Sequence, residues 1–178
     1  MSTDLITREM RALIGVEAGP FVAWDPVERG AVRRFAQATM DADPLHLDQA
    51  YAAGTRFAGL VAQPLFPLYL FRREPGTPDP LDAMMADPDF DGVGDVFFVR
   101  FGLPPLPITL KRFLNGGSRV RFFRYAGDGE RVLARSRYVD ITQKAGKSGP
   151  MILAVVHAHF ATDAGEPLLD YEQTLIWR

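Results

Sequence analysis

The second half of the chain reads as a run of β-strands separated by short turn signals, and this constrains the fold more than any other feature. After the β-rich segment VFFVRF at 96–101, GLPPLP is extended, and its prolines exclude a central strand. LNGG at 114–117 reads as a turn, RVRFFRYA alternates, and GDGE reads as a hairpin turn. RVLARSRYVDITQK alternates again, and KAGKSGP is a further loop. MILAVVHAHFATD, the turn DAGEP and LLDYEQTLIWR complete the series. Four long strands joined by short turns predict an antiparallel meander, which has one apolar face to cover.

The first half supplies the cover. Leu5, Ile6, Met10, Leu13 and Ile14 recur near helical spacing and predict a short helix over 3–13, ended by Gly15 and Gly19-Pro20. Residues 21–24 read as a short strand. Asp25-Pro26 is a helix-start signature, and the helix is expected to run to about Met40, with Val32, Phe35, Ala36 and Thr39 on one face. Asp43-Pro44 breaks the pattern, because proline has no amide hydrogen and restricts its predecessor. Asp48 is expected to cap a second short helix, QAYAA, that closes at Gly54.

LFPLYLFRR at 65–73 is apolar without strict alternation and reads as a buried helix. Residues 74–95 hold Pro75, Pro78, Pro80 and Pro88, and six Asp with no Lys or Arg from Asp79 onward. They read as a long surface loop with one helical turn near 83–85.

Helices followed by an antiparallel sheet define an α+β chain. The economical packing wraps the sheet around the apolar helix near 65–73, which is the hotdog arrangement. With 178 residues and 47% apolar composition, one domain over 1–178 accounts for the whole length.

Composition removes several function classes. A net charge of −2 gives no general attraction to nucleic acid or an anionic membrane. The chain has no cysteine, so disulfides, thiolate chemistry and cysteine-based zinc sites are excluded. LVAQPLFPLYLF, the most apolar run, is too short to span a bilayer and contains Pro64 and Pro67. Asp4, Arg8, Glu9 and Arg11 interrupt any signal-peptide apolar region, and a cytoplasmic location is expected.

Three constellations carry chemistry. In ATMDADPLHLDQA, Asp41 and His46 flank the stiff Asp43-Pro44 bend. They read either as residues of a helix-ending turn or as an acid/base pair able to hold and deprotonate a water. His157 and His159 in AVVHAHF share one strand face. With no further histidine beyond His46, a polar sheet face or subunit interface is favoured over a metal site, and no metal is expected. Residues 111–147 hold ten Lys or Arg against three acids. Arg119, Arg121, Arg131, Arg135 and Arg137 occupy odd positions of alternating strands. They read as a solvated face, with a site for a phosphorylated ligand as the sharper alternative.

The stretch RRFAQATMDADPLHLDQAYAAGTRFAGLVA resembles the signature of the MaoC-like (R)-specific enoyl-CoA hydratases, whose D-x-N-P-x-H-x-D pattern stands here as Asp41-Ala42-Asp43-Pro44-Leu45-His46-Leu47-Asp48. From LNGG to the C-terminus, the chain resembles the FAS1-like dehydratase N-terminal-domain branch of the same superfamily, so the likeness covers nearly everything after residue 12. The resemblance implies a hotdog fold and a hydro-lyase acting on 2-enoyl-CoA or 3-hydroxyacyl-CoA thioesters. It needs no cofactor beyond the CoA of the substrate. Asp41 and His46 are the implied catalytic pair, and Phe57, Leu65, Phe66 and Tyr69 line the acyl site. Basic residues of the meander or of a partner meet the CoA phosphates. A homodimer, or a heterodimer with a second MaoC-like subunit, is implied.

This chain departs from the hydratase pattern in three places. Asp43 replaces asparagine, Thr39-Met40 replaces Ser-Gly, and Gln63-Pro64 replaces the His-Gly whose amide meets the thioester oxygen. Proline has no such amide, and one oxyanion donor is worth about 3 kcal/mol of barrier lowering. A neighbouring amide such as that of Leu65 could substitute. The loss at Pro64 opens the alternative of a non-catalytic acyl-CoA-binding subunit. A thioesterase is a third reading, since hotdogs also host that reaction.

Overall fold

The structure, a computed structural model, describes residues 4–71, 76, 82, 85–88, 102–147 and 149–178. The helical turn expected near 83–85 falls largely outside these residues. So do most of the 74–95 loop, the strand expected at 96–101 and the end of the helix expected at 65–73.

Five antiparallel strands form one sheet: β1 (Glu17–Val22), β2 (Phe113–Phe122), β3 (Val132–Gly146), β4 (Gly149–Thr162) and β5 (Pro167–Trp177), in the order β1-β3-β4-β5-β2. The meander expected from the sequence is present as β3-β4-β5. β2 corrects the rest, because it pairs with β5 on the far side rather than with β3. GDGE therefore ends a crossover and is not a hairpin turn.

LNGG is likewise not a turn. It lies inside β2 as a bulge, where the register slips between Asn115 and Ser118. Gly117 takes φ 104°, and its N–H donates to Asn115 Oδ1 at 2.9 Å. An Asn-Gly-Gly signal serves a bulge as well as a turn, and pairing with β5 decides between them. β1 also corrects the expectation of a strand at 21–24. It begins at Glu17 and passes through Gly19-Pro20 with a slip between Ala18 and Phe21, as an edge strand can.

The helices are short: α1 (Arg8–Leu13), α2 (Arg29–Thr39), α3 (Gln49–Ala53) and α4 (Phe66–Tyr69). α1 starts five residues later than expected, with the Thr7 side chain accepting from Met10 N. α2 starts at Arg29 rather than at Pro26, because strand-like pairing holds the preceding segment. Ala23 N donates to Val132 O at 2.9 Å, Val27 N to Glu130 O at 2.8 Å, and Gly129 N to Val27 O at 2.8 Å. Tertiary pairing thus overrides the local start signal.

The inner sheet face carries the core. α2 and α4 lay Val32, Phe66 and Leu70 against Ala134, Ala158, Phe160 and Leu169. Phe66 meets Phe35 edge-on, with ring centroids 5.5 Å apart. Each such side chain contributes about 1.5–3 kcal/mol by leaving water. At the other end of the same face, α1 brings Met10 against Tyr138, Ile141, Ile152 and Trp177. The apolar segment around α4 covers the sheet as expected, sharing the task with α2. Among the described residues, no helix is long and apolar enough to cross a membrane.

Candidate active site

Local hydrogen bonding sets Asp41 and His46 on one corner. α2 ends with Met40 in the left-handed region at φ 55°. Asp41 N reaches back to Ala36 O at 2.9 Å and Met40 N to Gln37 O at 3.3 Å. This two-bond ending satisfies the last carbonyls and reverses the chain. Asp41 Oδ1 then accepts from Asp43 N at 3.1 Å, which orients its carboxylate. Asp43 Oδ1 accepts from Leu45 N at 2.9 Å and opens a 3-10 turn, Pro44–His46. An aspartate at 43 therefore does the capping that asparagine would do. Asp48 caps α3 through Ala50 N and Tyr51 N, and Gly54 closes it, as the sequence predicts.

His46 is buried, with its side chain 4% exposed, whereas Asp41 is 33% exposed. The His46 Nδ1 atom lies 2.7 Å from Val61 O. A carbonyl only accepts, so Nδ1 carries the hydrogen, and Nε2 of the neutral ring has a free lone pair. That Nε2 faces Asp41 Oδ2 at 3.8 Å. Such a separation leaves both groups able to meet a shared water or hydroxyl.

The carbonyl that aims His46 is held from the far half of the chain. Val61 bridges to Gly127, and Ala62 N donates to Ala126 O at 2.8 Å. The 124–130 segment is clamped by a two-pronged ion pair, Arg124 Nη1 to Glu130 Oε2 at 2.9 Å and Nη2 to Oε1 at 2.7 Å. Gly127 N adds a bond to Glu130 Oε2 at 2.7 Å. Burial pushes the Glu130 carboxyl up, but the hydrogen bonds from Arg124 and Gly127 and the Arg124 charge outweigh it, leaving it below its ordinary value. The same hydrogen bond with Glu130 lifts the Arg124 guanidinium above its ordinary value.

Beside His46 lies a small hollow, walled by Val27, Val32, Leu60, Val61 and Ala62 and bordered by the exposed Arg29–Asp128 ion pair. Phe57 stacks on Tyr125 at 5.3 Å, and the Tyr125 ring lies 6.5 Å from that of His46. Phe57 is thus within the ring cluster of the site. Leu65 is exposed, and Phe66 is fully buried in the main core. Tyr69 borders a separate hollow with Asp25, Glu28 and Arg34. The structure brings Asp41 and His46 together and links Phe57 to His46 through Tyr125, whereas Leu65, Phe66 and Tyr69 do not line the hollow, Phe66 packing behind its walls Val27, Val32 and Ala62.

The meander arginines lie on the outer sheet face, away from the hollow. Arg135, His159, Asp170 and Arg121 form one cross-strand row, and Arg137, His157, Glu172 and Arg119 the next. His159 Nδ1 sits 2.7 Å from Asp170 Oδ1, and His157 Nε2 sits 3.6 Å from the same oxygen. Arg131 instead donates to Ala23 O and Trp24 O. Among the described residues, no group of three or more His, Asp or Glu is arranged to hold a metal ion.

Sequence reasoning missed Val61, Arg124 and Glu130. GDGE carries a visible signal, but only that of a turn.

A five-stranded antiparallel sheet covered on one face by short helices is the hotdog arrangement. The FAS1-like dehydratase domain region model matches residues 12–171, and the chain belongs to that family. A UPF0336 protein of Thermobifida fusca is 27% identical over 152 residues, covering 85% of this chain and 83% of that one. The fold is shared with the ChsH1-ChsH2 complex of Mycobacterium tuberculosis (TM-score 0.66, 16% identity, 90% of this chain and 88% of that one). It is also shared with the HadBC (3R-hydroxyacyl-ACP dehydratase) complex of the same organism (TM-score 0.62, 18% identity, 99% of each chain).

Proposed function

We propose that the protein is a hydro-lyase that adds water across the double bond of a 2-enoyl-CoA thioester, or removes it from a 3-hydroxyacyl-CoA thioester. One observation carries this reading: a buried His46 whose Nδ1 is tied to Val61 O, so that Nε2 faces Asp41 Oδ2 at 3.8 Å beside an apolar hollow. In hydration, a water held by both groups gives a proton to the pair as its oxygen bonds to C3. The electron pair of the double bond moves toward the thioester carbonyl, and the pair returns a proton to C2. Basic side chains outside the hollow, on this chain or a partner, would meet the CoA phosphates. No cofactor beyond the CoA of the substrate enters the reaction.

A second reading is favoured by Pro64, which has no amide to offer a thioester oxygen. In it the chain is the acyl-CoA-binding subunit of a heteromeric hydratase. The ChsH1-ChsH2 and HadBC complexes, both assembled from two different subunits, support pairing with a second hotdog subunit in either case. The test is hydration of crotonyl-CoA by the purified chain alone. Activity lost in Asp41→Asn and His46→Ala supports the first reading. Inactivity until a partner is added, with indifference to both substitutions, supports the second. Release of free CoA thiol would instead mark a thioesterase.

A further inference from the structure

The two sides of the outer sheet face treat their arginines differently. On β2, Arg119 pairs with Glu172 at 3.5 Å, and the Arg121 guanidinium lies over the Phe123 ring, 4.9 Å from its centroid. On β3, Arg135 and Arg137 are exposed, and neither has an acid partner among the described residues. Register sets Arg135 beside His159 and Arg137 beside His157 on β4. The four residues mark the corners of a rectangle. Cross-strand neighbours are about 5 Å apart, and residues two apart on one strand about 7 Å apart. Like charges set opposite each other destabilise a sheet, so this rectangle gains from an anion laid across it.

The imidazoles are oriented from the other side. Asp170 Oδ1 on β5 lies 2.7 Å from His159 Nδ1 and 3.6 Å from His157 Nε2. A carboxylate only accepts, so the nitrogens facing it carry hydrogens. Each ring keeps a second nitrogen, which donates once the ring is protonated, a change that histidine makes near neutral pH. The charged groups around the two rings are Arg135 and Arg137 on β3, Asp170 and Glu172 on β5, and Arg119 and Arg121 beyond them on β2. Glu172 is engaged by Arg119, and both histidines share Asp170. Neither acid of these rows is left for the β3 arginines.

We propose that Arg135, Arg137, His157 and His159 bind a phosphoryl dianion, carried by a small phosphorylated ligand other than the thioester substrate. Guanidinium forks take phosphate oxygens two at a time, and the histidines add donors along the second side of the rectangle. The size of the ligand follows from charge. The chain as a whole carries −2, which repels a long polyanion and leaves this basic island suited to a compact one. The rectangle lies on the outer face, away from the hollow beside His46, so the site does not depend on the acid/base reading.

The experiment is proton NMR of the imidazole C2–H signals of the three histidines, at constant ionic strength. His157→Gln and His159→Gln assign the signals, and inorganic phosphate and glycerol phosphate are the probes. We expect the His157 and His159 signals to move together and saturate while the His46 signal stays still. Arg135→Gln combined with Arg137→Gln weakens binding by about tenfold or more. Arg135→Lys combined with Arg137→Lys weakens it less, since the charge is kept and the fork is lost. Both arginines are exposed, and an unchanged melting temperature without phosphate shows that the variants fold. Tighter binding of glycerol phosphate identifies an ester as the ligand, and the reverse order identifies free phosphate.

An equal, unsaturating drift of all three signals is ionic screening and overturns the proposal. So does undiminished affinity in the double glutamine variant. A raised KM for crotonyl-CoA in that variant overturns it as well, because the occupant would then be the CoA of the substrate.

Discussion

The described residues contain two histidine–carboxylate clusters, and the tighter one is not the candidate active site. On the outer sheet face, His159 and His157 share Asp170 Oδ1 at 2.7 and 3.6 Å. At the corner after α2, His46 stands 3.8 Å from Asp41. Distance alone would choose the first. Surroundings choose the second. The side chains of His157 and His159 are 25% and 41% exposed and lie among arginines and Glu172 in flat cross-strand rows. In such a setting, solvent screens the charges and competes for every hydrogen bond. His46 is enclosed, has one ring nitrogen committed to a carbonyl, and borders an apolar hollow. A reactive pair needs a fixed tautomer and shelter from bulk water, and of the two clusters the corner combines them.

Four substitutions test that contrast. The largest effect belongs to the corner: Asp41→Asn and His46→Ala should each lower enoyl-CoA hydration by about 10²–10⁴-fold. Asp170→Asn and His159→Ala should leave the steady-state rate unchanged; a comparable loss at Asp170 would reverse the assignment.

Next comes the clamp behind His46. Glu130→Gln should cost about 1–2 kcal/mol in denaturant unfolding and slow hydration by loosening Val61. The folded Glu130 carboxyl titrates below its ordinary 4.5. Its stabilisation is therefore present above that value and is lost as pH falls through the lower folded one. The gap between wild type and Glu130→Gln should accordingly be full at neutral pH and close in acid.

Third, Met40 is 90% exposed and sits at φ 55°. Met40→Gly should raise stability by about 1 kcal/mol, seen as a higher melting temperature. The smallest effect is expected on the sheet, where Asp170→Asn should change stability by less than about 1 kcal/mol.

Much of the corner was legible in the sequence because its bonds are local. Asp41 to Asp43 N, Asp43 to Leu45 N, and Asp48 to Ala50 N and Tyr51 N each span two or three residues. Short polar side chains followed by proline or a helix carry those bonds wherever they occur. The β-rich second half was legible by alternation, and the helix cover by burial logic.

The strand order was not legible, nor was the bulge in LNGG or the late start of α2. Each depends on which distant segment a backbone meets. The aim of His46 was equally hidden, since its partner Val61 lies 15 residues on and is itself held by residues 124–130.

By itself, the sequence determined the α+β class, the strand-forming half and the placing of a carboxylate and an imidazole on one stiff bend. These follow from periodicity and from hydrogen bonds that close within a turn. Only the tertiary structure decided which histidine is sheltered, which of its nitrogens is free, and which side chains border the hollow. Those outcomes need backbone groups far apart in the chain to meet, and that meeting is set by register and burial across the whole sheet.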